Sequence, residues 1–176
     1  AAAYGAARGG RRSPRLFAAL ARRLRERRDD LSAMDCARAA GGFLRCPAAV
    51  AEEAVLCGPV AERALELGFS AFDAEALALL LDALGRAPHA ARGVEELAGA
   101  LLEALHPRLG ELSGRQLASV ARSLGGLRPA GPEVLRAVFA RAQEAATEAA
   151  SAGRVGADGP GSLAPRHVAM LCQGLA

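Results

Sequence analysis

Four stretches of this 176-residue chain can be laid over one another, and no other feature restricts its fold as much. They begin at Leu31-Ser32, Phe72-Asp73, Leu112-Ser113 and Leu163-Ala164, and run to Cys46, Ala87, Leu127 and Ala176. Their starts lie 41, 40 and 51 residues apart. The last interval holds a Gly/Ser/Pro-rich stretch, 151–162, which reads as a loop of roughly ten residues inserted into a unit of about 40. With the first residue counted as zero, position five is Cys36, Leu77, Leu117 and Val168. Position eight is Ala39, Leu80, Val120 and Leu171, and position twelve is Phe43, Leu84, Leu124 and Leu175. That spacing follows one stripe of a 3.6-residue helix. Ser32, Asp73 and Ser113 stand where an N-cap belongs, each able to accept a bond from a free first-turn amide.

A second stripe precedes each of the first three stretches: Leu16, Leu20 and Leu24, then Cys57, Ala61 and Leu65, then Leu97, Leu101 and Leu105. Its i, i+4, i+8 spacing is again helical. Gly58-Pro59 and Pro107 should kink or shorten their helices, because proline lacks the amide and clashes with the preceding turn. Composition points the same way. Ala, Leu, Arg and Glu are good helix formers, aromatics are 3%, and Ile, Lys and Asn are absent. The expectation is an all-α chain: an α-solenoid of about four stacked helical hairpins, incomplete at its ends, spanning 16–176 behind a basic tail, 1–15. The capped helices fall near 31–46, 72–87, 112–127 and 163–176.

Charge divides the chain. Residues 1–28 hold nine arginines and one acid, 29–111 hold six arginines and fourteen acids, and 112–176 hold seven arginines and four acids. Basic ends of this kind suit RNA or an acidic surface, whereas the acidic middle does not. Exclusive use of Arg over Lys fits a GC-rich genome and carries no argument about phosphate. The Ala/Arg-rich opening, with no acid before Glu26, resembles the residue of an organellar targeting region.

Little in the sequence points to catalysis, a cofactor or a metal. Cys36, Cys46, Cys57 and Cys172 include no Cys-x-x-Cys pair and read mainly as small buried residues. His89, His106 and His167 stand alone, and the adjacent pairs Glu52-Glu53 and Glu95-Glu96 diverge on a helix. No Gly-Gly pair precedes Gly-Lys-Ser/Thr. No apolar run reaches the roughly 18–20 residues that span a bilayer, so membrane insertion is not expected. The expectation is a protein that is not an enzyme, with no cofactor and no metal.

Leu112-Ser-Gly-Arg-Gln-Leu-Ala-Ser-Val-Ala-Arg-Ser-Leu-Gly-Gly-Leu127 resembles the first helix of the octotricopeptide and heptatricopeptide repeats, which accompany RAP and FAST-kinase-like domains in organellar proteins. Leu31 to Leu44 is a weaker version of it. The resemblance implies an RNA-binding helical-repeat protein of mitochondria, or alternatively plastids, acting on transcripts or as a structural part of a divergent ribosome. Repeats of this class often carry Trp in the middle of that helix, where this chain has Arg122.

If positions 0, 5, 8 and 12 face the core, positions 3, 7, 10 and 14 face away. These are Met34, Arg38, Gly41 and Arg45, then Glu75, Leu79, Asp82 and Arg86, then Arg115, Ser119, Arg122 and Gly126, with Arg166, Met170 and Gln173 in the last stretch. Arg38, Arg45, Arg115, Ser119, Arg122, Arg166 and Gln173 are therefore RNA-binding candidates: arginine can fork onto phosphate, and Ser or Gln can bond a base edge or 2′-OH. Glu75 and Asp82 would repel it. The basic run Arg22, Arg23, Arg25, Arg27 and Arg28 is the other candidate, suited to binding that weakens with salt. Phe43, Phe69 and Phe139 read as core, leaving Tyr4 as the one free ring. The alternative is a protein-binding solenoid, a scaffold or assembly subunit without direct RNA contact, which the acidic middle supports.

Overall fold

A computed structural model describes residues 13–43, 58–86, 94–127 and 132–151, and these are helical nearly throughout, with no strand among them. Seven α-helices follow in order: α1 (Pro14–Glu26), α2 (Ala33–Phe43), α3 (Pro59–Leu67), α4 (Ala74–Leu84), α5 (Val94–Leu105), α6 (Gly114–Gly126) and α7 (Pro132–Ser151). The expected helix at 163–176, the inserted loop beyond Ser151 and the tail before Ser13 lie outside the described residues.

The helices start where their caps are. Asp73 accepts from the Ala76 amide at 2.7 Å. Ser113 and Gln116 form a reciprocal capping box, and Ser32 and Asp35 make the same exchange, with the Asp35 amide donating to the Ser32 hydroxyl at 3.2 Å. Each box satisfies amides that a helix start leaves open. Just before each cap runs a short 3-10 turn (Arg28–Asp30, Phe69–Ala71, His106–Glu111), followed by one extended apolar residue: Leu31, Phe72 or Leu112. Pro59 opens α3 at its first position, and α5 stops at Leu105, two residues before Pro107. Both prolines thus shorten their helices, as expected.

α2, α4 and α6 lie side by side, α4 between the other two. On this row pack the helices that follow each member: α3 against α2, α5 against α4, α7 against α6. The core forms between the two layers. Its largest fully buried side chains include Phe43, Leu77, Leu80, Leu84, Leu101, Leu105 and Leu117, so the 5, 8, 12 stripe points inward in all three described helices. The α5 stripe Leu97, Leu101 and Leu105 is buried too.

Two helices are turned from their expected register. In α1 the buried residues are Phe17 and Ala21, with Leu20 and Leu24 half-buried and Leu16 exposed. The Phe17 ring meets Phe43 edge-on at 5.5 Å, and an aromatic ring there buries more surface than Leu16 could. In α3, Val60 and Ala64 are buried while Leu65 is 61% exposed, because the helix begins at Pro59 and the stripe is set from there.

A further departure concerns the face of positions 3, 7, 10 and 14. It does not point to solvent as a whole: Met34 and Leu79 are half-buried against the core, and Gly41 and Asp82 are buried. The side-by-side row covers it. Ala37, Ala78 and Ala118, the next place along from the inward Cys36, Leu77 and Leu117, are all buried as well. Gly85 at the end of α4 comes so near Ser123 of α6 that a Cβ there would sit 2.7 Å from the Ser123 Cβ.

Candidate nucleic-acid interface

The five arginines of the 22–28 run lie on α1 and the turn that follows it. Because Phe17 and Ala21 face inward, Arg15, Arg22, Arg23 and Arg25 are exposed along the outside of the helix. Arg22 and Arg23 reach Glu26 at 4.0 and 2.9 Å, and Arg27 reaches Asp30 at 2.9 Å. Side chains in these pairs are about half exposed or more, which makes each pair worth only about 0–1 kcal/mol. Arg28 differs. It is one-third exposed and bridges to α3, bonding Glu62 at 2.8 Å and Glu66 at 2.9 Å besides Asp29 at 3.2 Å. The bonds to Glu62 and Asp29 raise the pKa of its guanidinium. An open cleft of about 660 Å³ separates this turn from the start of α3, lined by Arg25, Arg27 and Arg28 on one hand and Asp29, Asp30 and Glu62 on the other.

Ser119 and Arg122 lie in the seam between α4 and α6, held by Asp82. The Ser119 hydroxyl donates to Asp82 Oδ1 at 2.7 Å, the Arg122 guanidinium pairs with the same oxygen, and Arg86 pairs with Oδ2 at 2.7 Å. The Asp82 side chain is one-tenth exposed, and the Arg122 Nε is buried with no hydrogen-bond partner. Asp82, expected to repel phosphate, instead neutralises two arginines inside the protein. Ser123 is buried beside it and donates back to the Ser119 carbonyl at 2.9 Å.

Arg38 and Arg115 are exposed, with no ion pair to a described residue. Arg45, Arg166 and Gln173 lie outside the described residues. The structure therefore keeps the α1 arginines together, leaves Arg38 and Arg115 on separate helices, and commits Ser119 and Arg122 to another helix. Arg15 was not singled out by the sequence, although its place two residues before Phe17 and seven before Arg22 sets it on the same outer face.

Two more arginines act across helices. Arg63 of α3 donates from Nε to the Leu31 carbonyl at 3.3 Å, and Arg108 of the 3-10 turn after α5 donates to the Phe72 carbonyl. Both acceptors are the extended residue just ahead of an earlier cap, whose carbonyl no helix bond satisfies. Each donor also pairs with a carboxylate three residues on, Arg63 with Glu66 at 3.3 Å and Arg108 with Glu111 at 2.9 Å. The Arg108 bond holds the Glu111 carboxyl below its usual range.

Among the described residues no three His, Cys, Asp or Glu side chains gather as a metal site, and no helix is long and apolar enough to cross a membrane. No protein-family model, curated protein or solved structure matches the chain.

Proposed function

We propose that this chain is a helical-repeat docking protein of an organellar ribonucleoprotein, mitochondrial or plastid, serving as a structural component that touches RNA through the outer face of α1. The helices are read as successive hairpins of an α-solenoid with a period of about 40 residues. Support for that reading comes from the three capped junctions of one design and from the two-layer packing of α2 to α7. The observation that carries the RNA contact is the difference in how firmly the arginines are held. Phosphate can displace Glu26 and Asp30 from Arg22, Arg23 and Arg27 at little cost, and it offers arginine the better bidentate partner. It cannot take Arg122 without breaking one of the two ion pairs that Asp82 makes in the seam, leaving that carboxylate to Ser119 and Arg86.

Anisotropy of a labelled RNA stem-loop with the purified 176-residue chain tests this. Four phosphates neutralised by Arg22, Arg23, Arg25 and Arg27 give log K a slope of about −3 against log salt. Replacing these four by glutamine should weaken binding at least tenfold, while Ser119→Ala should leave it unchanged. Absent or salt-insensitive binding overturns the reading. A second reading, a scaffold for a basic protein, is favoured by the exposed Leu65 standing between Glu62 and Glu66 on α3. A basic protein partner that stays bound after nuclease treatment would support it over the first.

A further inference from the structure

This inference rests on the RNA-docking reading and concerns what keeps the α1 arginines in place. We propose that Glu62 and Glu66 of α3 are positioning residues for that face, acting through Arg28, so that two carboxylates beside an RNA site strengthen its grip on phosphate.

The core holds α1 mainly by its first half. Phe17 and Ala21 are buried, and beyond them only Leu24 turns inward, half-buried. Arg22, Arg23, Arg25 and Arg27 all follow Ala21. From Phe17 to Arg27 the chain climbs about 15 Å, so a small tilt about the Phe17 ring displaces the arginine-bearing end most. That end runs into the 3-10 turn Arg28–Asp30, where the Asp30 amide donates to the Arg27 carbonyl and the Leu31 amide to the Arg28 carbonyl.

Two side chains fasten this turn to α3, and they share a carboxylate. Arg28 spreads its guanidinium over Glu62 at 2.8 Å and Glu66 at 2.9 Å, which stand one turn apart on the same side of the helix. In return Arg63 sends its Nε to the Leu31 carbonyl at 3.3 Å and pairs with the other oxygen of Glu66 at 3.3 Å. One ion pair at this exposure would fix little, whereas a network in which a carboxylate joins two arginines restrains them together. Electrostatics without that network predicts the opposite sign. Glu62 lines the same cleft as Arg25 and Arg27, and a carboxylate there repels an incoming phosphate. Its removal would then tighten RNA binding.

The test is a salt series with the labelled stem-loop and the full chain carrying Glu62→Gln and Glu66→Gln together. Binding should weaken about three- to tenfold, and the slope of log K against log salt should flatten from about −3 to about −2, the loss of one phosphate contact. A loss of stability alone would lower the active fraction and leave the slope unaltered. Glu75→Gln with Glu103→Gln removes two exposed acids outside the network and should leave both quantities as they are in the unaltered chain. Unchanged or tighter binding by the Glu62 and Glu66 variant overturns the proposal while leaving RNA docking intact. Absence of binding by the unaltered chain removes the underlying reading instead. Where the double variant loses its helical far-UV circular dichroism, Glu62→Gln alone, which keeps Glu66 on both arginines, is judged by the same two quantities.

Discussion

Asp82 is a charge taken largely out of water, and such a charge persists only where bonds from both sides replace its hydration. Ser119, Arg122 and Arg86 provide them. Asp82→Ala strips two arginines of their partner in a half-buried seam and should lower unfolding free energy by about 2 kcal/mol, less than for a fully buried pair because both arginines keep about a third of their side-chain exposure. Urea denaturation measures it, and Ser119→Ala should cost about 1 kcal/mol. Before folding, Asp82 is one acid on a polar stripe. Its partners on α6 are 37 and 40 residues away, so no local pattern could have joined them. Cys36 was legible as a buried thiol, and burial pushes its pKa up to about 11. A group whose pKa is higher folded than unfolded stabilises fully below its unfolded value and loses that contribution as pH rises, here between about 9 and 11. Asp35 runs the opposite way. Hydrogen bonds from Ser32 depress its pKa, so its contribution holds above the usual carboxylate range of about 4 and fades as pH falls below it. Thermal melts from pH 3 to 11 should fall at both ends, and the alkaline fall should shrink in Cys36→Ala relative to the acid one.

Among the elements, α2, α4 and α6 were the most readable, because cap, stripe and spacing agree. Their second buried side was not. Alanine is as common on exposed helix faces as in cores, so the column Ala37, Ala78 and Ala118 carries no sign of which it is. Arg122 and Ser119 were assigned to solvent for the same reason. α1 and α3 were recognised as helices but misread by one residue, and one residue turns a helix by 100°, enough to exchange Leu65 for Ala64 at the core. α7 runs from Pro132 to Ser151, a helix to which the sequence reading assigned no stripe. Two glycines separate packing from propensity. Gly85→Ala puts a methyl against Ser123 and should cost about 1–3 kcal/mol, whereas Gly99→Ala in α5 meets nothing within 4 Å and should gain about 0.5–1 kcal/mol. Opposite shifts of the melting temperature would establish that α4 and α6 touch backbone to backbone.

Over the described residues, net charge counted along the sequence differs from charge as the fold arranges it. In the run at 22–28, Arg22, Arg23, Arg27 and Arg28 share five carboxylates with Arg63: Glu26, Asp29, Asp30, Glu62 and Glu66. Net charge along the sequence overstates the field such a region projects, since it ignores acids brought in from α3. Among the described residues, what remains outward is the α1 face together with Arg38 and Arg115, and salt dependence of RNA binding should reflect those groups.

The two bonds from Arg63 and Arg108 run in one direction, each reaching back to a carbonyl at an earlier junction. In each case the acceptor precedes its donor in the chain, so water must satisfy the Leu31 and Phe72 carbonyls until the later segment has packed beside them.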